Sequence, residues 1–253
     1  MSQVTGNSRL QTAVLEDLSD AHKYRRWLAD LARPHLGPNP IEIGSGTGDY
    51  ALEWIDDVAH FTATEADEAR YRTLCARFAG NDRITTRHLL LDGSQIVGQA
   101  RDRDRGATYS AALAYNVLEH IPDDVGALRA LRSLVRPGGA VILIVPAFPS
   151  AMSDFDREIG HQRRYTKASL RAALRDAGLA VQELRYVNPV GLVSWYLVVK
   201  ALRRRPQNGP ALRLYDRTVV PLARALDRWP MPFGQSVFAV ARVPGEPETE
   251  PPR

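Results

Sequence analysis

The chain has 253 residues, 44 % of them apolar and 25 % charged, with a net charge of +4. These proportions are ordinary for one soluble globular domain with additions. A single cysteine, Cys75, excludes an internal disulfide, and no run of about 18 uncharged apolar residues exists to span a membrane. At the start, Met1–Leu10 is polar and lacks an apolar segment, so a secretory signal is not expected and the expected compartment is the cytoplasm. Met1–Ser8 reads as a disordered end. From Leu10 to Leu36, Tyr24, Trp27, Leu28 and Leu31 recur at helical spacing, so residues 1–36 are expected as a helical extension ahead of the core.

Pro40-Ile41-Glu42-Ile43 is a short apolar strand. It runs into Gly44-Ser45-Gly46-Thr47-Gly48-Asp49-Tyr50 and then into a helical pattern from Ala51. Glycines reach positive φ and let a ligand approach the main chain with no Cβ in the way. The following helix N-terminus offers free N–H groups. The strand tip is therefore suited to a polar small molecule. A dinucleotide fingerprint needs G-x-G-x-x-G. The run here is G-x-G-x-G, with Glu42 two places before the first glycine, which speaks against a nicotinamide-dependent oxidoreductase.

Ile41–Gly48 resembles the first motif of the class I S-adenosylmethionine-dependent methyltransferases, (V/I/L)-(D/E)-(I/L/V)-G-x-G-x-G. Four later markers follow in that family's order. His60–Thr64 is a strand ending in Glu65, and a carboxylate about 20 residues past the turn can accept from both hydroxyls of a ribose. After a helix over Glu68–Phe78, a strand at Ile84–Leu90 ends in Leu91-Asp92-Gly93. Tyr109–Tyr115 is a strand running into Asn116-Val117-Leu118-Glu119-His120-Ile121-Pro122-Asp123. Leu134-Val135-Arg136-Pro137-Gly138-Gly139 then leads into the strand Ala140–Val145. The resemblance implies an α/β, Rossmann-like fold with a seven-stranded, mostly parallel sheet. It also implies S-adenosylmethionine as cofactor and S-adenosylhomocysteine as product. By the same resemblance Gly44, Ser45, Gly46 and Gly48 line the methionine side, Glu65 takes the ribose and Asp92 the adenine. Asn116 meets the methionine end through its backbone. Glu42, Ala66, Gly93 and Val117 complete the set, and Tyr24 is placed to face the methionine carboxylate or the reaction centre.

The core is expected over residues 37–187 with 235–243. A helix at Ser169–Ala177 stops at Gly178, Val181–Tyr186 is the sixth strand, and Gln235–Arg242 closes the sheet antiparallel. Residues 188–234 are a helical insertion before that last strand, and 244–253 a disordered tail. The insertion joins apolar runs to Arg203-Arg204-Arg205. Such a segment suits a lid, a homodimer interface or a peripheral membrane contact. Arg101–Arg105 alternates in sign and reads as a solvated loop. The basic residues form short clusters rather than a stripe, so nucleic acid is not an expected partner.

Methyl transfer needs nucleophile and methyl brought together, a proton removed if the acceptor is a hydroxyl, and water excluded. His120 and His161 are the candidate bases, since imidazole titrates near neutrality. His161 lies in a polar stretch, Asp154–Tyr165. There Asp154 and Asp156 are candidates to orient the histidine or bind a sugar hydroxyl. Arg163, Arg164 and Tyr165 are candidates to hold the acceptor. Glu119-His120 resembles the metal-binding part of ubiquinone-pathway O-methyltransferases, but Asn116 stands where a further acid would be, so no metal is expected. The expected function is O-methylation of a small-molecule, sugar or lipid-linked acceptor. The alternatives are C-methylation of an isoprenoid or polyketide skeleton, and a partner subunit that binds the cofactor without turnover.

Overall fold

The computed structural model describes residues 6–18, 21–93, 95–98, 108–201 and 209–245. The expectations for Arg101–Arg105, for Arg203–Arg205 and for residues 1–5 and 246–253 lie outside these residues, whereas Ser8, expected in a disordered end, opens a helix, and the Asn7 N–H donates to Glu158 O.

The strands are β1 (Pro40–Ile43), β2 (Phe61–Glu65), β3 (Ile84–Asp92), β4 (Gln95–Gly98), β5 (Tyr109–Tyr115), β6 (Val135–Pro146), β7 (Ala180–Val187) and β8 (Ser236–Arg242). They form one sheet in the order β4-β3-β2-β1-β5-β6-β8-β7. β1, β2, β3, β5 and β6 are parallel neighbours, and β8 runs antiparallel between β6 and β7. The seven expected strands are all present, and β4 adds an eighth as a hairpin on β3. Every residue of β1, β2 and β5 is buried, as helices on both faces require. At the Pro137-Gly138-Gly139 turn the β5–β6 register jumps from Tyr109↔Val135 to Ala111↔Ala140.

The strand order reverses at β1, whose neighbours are β2 on one side and β5 on the other. At such a point the loops leaving the carboxyl ends diverge and open a crevice. The glycine turn leaves β1 there, and Asn116 leaves β5.

The helices are α1 (Ser8–Leu18), α2 (His22–Ala32), α3 (Asp49–Trp54), α4 (Glu68–Arg77), α5 (Asp124–Leu134), α6 (Asp154–Glu158), α7 (Lys167–Asp176), α8 (Pro189–Ser194) and α9 (Pro210–Leu226). α8 continues as π-helical turns over Trp195–Ala201. One face of the sheet packs on Leu128 and Leu131 of α5 and Leu170 and Leu174 of α7. The other packs on Leu28 of α2, Trp54 of α3 and Leu74 of α4. Trp54 is fully buried, stacks near Tyr50 and Phe61, and donates its indole N–H to the Ala29 carbonyl at 3.0 Å. Truncating such a residue to alanine costs about 3–5 kcal/mol.

The extension is thus two helices with a break at Ala21. Ala21 has no side chain to cap α2, and Asp216 of α9 does so instead, accepting from the Lys23 and Tyr24 N–H groups at 3.0 and 2.9 Å. Trp27 of α2 packs on Val220 and Ala223 of α9. α7 begins at Lys167, two residues before the expected start, because Thr166 and Ser169 form a capping box.

Candidate functional site

Gly44, Gly46 and Gly48 all have positive φ, at 71°, 58° and 86°, so the turn is built on the left-handed conformation that only glycine adopts without strain. Ser45 stitches the turn to β2: its N–H donates to Thr64 O at 2.6 Å, and its Oγ accepts from Thr64 N–H at 3.1 Å. A Cβ on Gly44 would lie 2.8 Å from Val117, and one on Gly48 would lie 2.5 Å from the Phe78 ring. Gly48→Ala is expected to lose about 2–4 kcal/mol of stability, by steric overlap and left-handed strain together, measured by denaturant unfolding. A loss under about 1 kcal/mol would show that the α3–α4 packing yields freely.

Beneath the turn lies Glu42, 2 % exposed. Its Oε2 has no hydrogen-bond partner among the described residues. Burial pushes its carboxyl up to about 8, the Ser45 hydrogen bond opposes this, and Asp49 and Glu65 add repulsion. A buried carboxyl with one oxygen unpartnered, beside a glycine cradle, gains its charge most readily against a cationic ligand group.

At the end of β2, Glu65 is buried and held at both oxygens. Oε2 accepts from Gly46 N–H at 2.9 Å, and Oε1 accepts from Ala66 and Asp67 N–H at 2.9 and 2.8 Å. Arg70 adds an ion pair at 3.1 Å. Arg70 went unforeseen, although it stands one helical turn past Glu65. Its other nitrogen, Nη1, reaches Ser8 O and Oγ and Thr12 Oγ1 of α1. α1 is tied on its far side by Gln11 Nε2 donating to Ile159 O at 2.7 Å. The helix therefore bridges the Glu65 side of the crevice and the loop carrying His161.

Asp92 is exposed at the end of β3, and Gly93 turns the hairpin at φ 52° facing Asp123. Among the described residues, three other than glycine have positive φ: Asn116, Phe148 and Asn188, at 53°, 60° and 60°. They follow β5, β6 and β7 at one edge of the sheet, where stored backbone strain commonly marks function. Asn116 is exposed there and Val117 half-buried. Tyr24 is instead drawn into the seam between α2 and the insertion. Its ring meets Trp27 edge-on, its hydroxyl bonds Asn188, and burial pushes its pKa up to about 12.

The stretch after β6 folds tightly on itself. Asp156 is buried at the centre: Oδ2 accepts from Ser153 N–H and Oγ, both at 2.7 Å, and Oδ1 pairs with Arg164 at 2.8 Å and His161 Nδ1 at 2.9 Å. Burial alone would raise the Asp156 carboxyl, yet its bonds to His161, Arg164 and Ser153 bring it down to about 2. Arg164 also donates to Ala147 O and lies over the Trp195 ring, and Tyr165 donates to Asp124. Arg163 pairs with Asp124 and donates to Pro122 O. Asp154 pairs with Arg157 on the exposed side of α6. The expected grip of Arg164 and Tyr165 on an acceptor does not fit these contacts, whereas Asp156 takes the other expected role, on the histidine ring. A buried arginine needs a carboxylate within its own fold; Arg164 uses Asp156, and the Tyr165 hydroxyl uses Asp124.

His161 emerges from this cluster with Nε2 3.7 Å from Glu119 Oε1. Glu119 is fully buried, and neither carboxylate oxygen has a hydrogen-bond partner among the described residues. Burial pushes it up to about 7, against the pull of His161 and Arg164. The His120 ring stands edge-on to His161 at 4.7 Å. Burial, with His161 beside it, pushes His120 down to about 3. Glu119, His120 and His161 each present a ligand atom, all within 4.8 Å of one another. The count of acids near Glu119 in sequence had missed His161, which completes the group only through folding.

A family model described as a methyltransferase domain matches residues 16–184. The chain belongs to that methyltransferase domain family. It is 26 % identical over 172 residues to the ubiquinone biosynthesis O-methyltransferase of Stutzerimonas stutzeri (strain A1501), covering 58 % of this chain and 67 % of that protein. The protein of the same name from Aeromonas salmonicida (strain A449) is 25 % identical over 122 residues, covering 46 % of this chain and 47 % of that one. The methyltransferase thus spans two thirds of one relative's length and less than half of the other's. A solved S-adenosylmethionine dependent methyltransferase from Mesorhizobium loti superposes with a TM-score of 0.56 at 16 % identity, over 86 % of this chain and 97 % of that one. The fold is that of the class I methyltransferases and the cofactor is S-adenosylmethionine. The glycine cradle and the unpartnered Glu42 oxygen of this methyltransferase fit a cofactor with a cationic amino-acid end.

Proposed function

We propose that the protein methylates a hydroxyl of a small-molecule, sugar or lipid-linked acceptor, with His161 as general base. The carrying observation is the Asp156–His161 pair at 2.9 Å. A buried carboxylate on Nδ1 fixes the ring and leaves Nε2 for the acceptor proton, as in other oriented histidine bases. His120 is the poorer base, since its desolvated ring resists protonation. Bound cofactor supplies an electrophilic methyl on a sulfonium. In this reading Gly44, Ser45, Gly46 and Gly48 shape the methionine end, with Glu42 beneath. Glu65 and Ala66 hold the ribose, Asp92 and Gly93 the adenine, and Asn116 and Val117 the reactive end. The names of the ubiquinone-pathway relatives support oxygen as the methylated atom.

The test is S-adenosylhomocysteine formation with hydroxylated aromatic, sugar and isoprenoid acceptors. Transfer confined to carbon acceptors, or cofactor binding with no turnover on any, would replace this reading. Glu65→Ala is expected to weaken S-adenosylmethionine binding by about 1–3 kcal/mol, the scale of charge-assisted hydrogen bonds. Calorimetric titration measures it, and unchanged affinity sinks the ribose assignment.

A second reading is favoured by the convergence of Glu119, His120 and His161. One carboxylate and two imidazoles suit a divalent transition metal. His161 is then a ligand rather than a base. Full turnover after chelation keeps the base; turnover lost on chelation and restored by manganese or zinc makes the ligand.

A further inference from the structure

We infer that the outward face of α9 and the turn after it dock on an anionic lipid bilayer. The inward face of α9 is spent on α2, through Val220, Ala223 and Tyr215 against Trp27. The outward face is left with large apolar groups: Leu214 is 62 % exposed, Leu222 60 % and Trp229 63 %. At 100° per residue, Leu214, Pro221 and Ala225 share one stripe, with Leu222 beside it. Arg213, Arg217 and Arg224 line the opposite border of that stripe, Arg224 ion-paired with Asp30 of α2 at 2.8 Å, and Arg228 follows in the closing turn.

Charge is segregated on this segment. Residues 188–234 hold one lysine and seven arginines against two aspartates, in a chain whose net charge is only +4. Both aspartates are buried and turned inward, Asp216 onto the start of α2 and Asp227 onto Arg185 at 2.6 Å. The outward face therefore shows arginines and apolar side chains with no carboxylate from its own segment. Exposed apolar groups bordered by cations fit the boundary between anionic headgroups and acyl chains. A second copy packed antiparallel on this face would bring the two arginine borders together, which disfavours that contact. No helix of the described residues is long and apolar enough to cross a membrane, so the contact is peripheral.

The insertion also touches the proposed acceptor loop. Trp195 donates to Ala151 O at 3.0 Å, and Tyr196 and Ser150 share a hydrogen bond at 2.8 Å. A docked bilayer would lie beside the crevice from which a lipid-linked acceptor is drawn. That purpose rests on the proposed acceptor class; the docking does not.

The experiment is sedimentation of the full chain with vesicles of phosphatidylcholine alone and with about 30 % phosphatidylglycerol. Partitioning onto the anionic vesicles is expected to be at least about tenfold stronger, and to fall steeply between about 0.1 and 0.5 M salt. A Leu214→Glu, Leu222→Glu, Trp229→Glu variant is expected to lose at least about tenfold of it, while its melting temperature and its S-adenosylhomocysteine formation stay unchanged. Equal partitioning on both vesicles, or full binding by the variant, overturns the inference. So does a wild-type dimer that ignores vesicles and becomes monomeric in the variant, which assigns the face to a second copy. Turnover is read in the same samples, so loss of vesicle binding and loss of methyl transfer are told apart.

Discussion

His161→Ala should lower turnover by about 10²–10⁴ while leaving S-adenosylmethionine affinity within about twofold, the range for removing one positioned general base. The separation follows from position. His161 lies after β6, held by Asp156 and facing Glu119, whereas the glycine turn and Glu65 lie after β1 and β2. Asp156→Asn keeps the shape but removes the charge that fixes the ring, so it should reduce turnover too, and shift its pH profile. Single-turnover rates with saturating cofactor, read beside calorimetric affinities, make the check. Equal losses in rate and affinity would mean that His161 shapes the cofactor pocket rather than moving a proton. Full activity in His161→Ala would return the base to His120 or remove it altogether.

Asp156→Ala should cost about 3–5 kcal/mol of stability, because it strands the buried Arg164 guanidinium. The same substitution unties the Ser153 cap of α6 and frees His161. Its pH signature has a definite sign. The folded carboxyl sits near 2 against an ordinary 3.8. Its contribution is therefore present above about pH 4 and lost as pH falls from there towards 2. A shift of about two units is worth roughly 2.5 kcal/mol. Wild-type denaturant midpoints should fall across that window, and the variant should show a flatter profile. A variant within about 1 kcal/mol of wild type at pH 7 would mean that Arg164 finds another partner or water on relaxing.

The glycine turn, the succession of strands along the chain and the closing strand could be read from sequence, because each leaves a local pattern. β1 and β5 are short runs of mostly apolar residues, interrupted only by Glu42 and Ser110, and Glu65 stands about 20 residues past the turn. β4 left no such pattern, being the four residues Gln95–Gly98 folded back through Gly93. The π-helical turns at Trp195–Ala201 were equally hidden, since their apolar spacing matches an ordinary helix. The contents of the polar loop were legible and their use was not. Arg164 and Tyr165 look like acceptor contacts in sequence, where nothing reveals that folding turns Arg164 onto Asp156 and Tyr165 onto Asp124. The Tyr24 contact with Asn188 was equally illegible, because the two residues lie far apart in sequence.

α1 has 11 residues, and a helix of that length is marginal in water without tertiary support. Its support comes from two regions far apart in sequence: Asp67 and Arg70, the latter also gripping Glu65, and the segment around Ile159, which bonds Gln11 and packs on Leu10. The helicity of the N-terminal segment is thus held on loan from the crevice. Amide protons of residues 9–13 exchange with solvent at a rate set by how firmly those two anchors stand, and a ligand that reorients Glu65 resets that rate from more than 50 positions away.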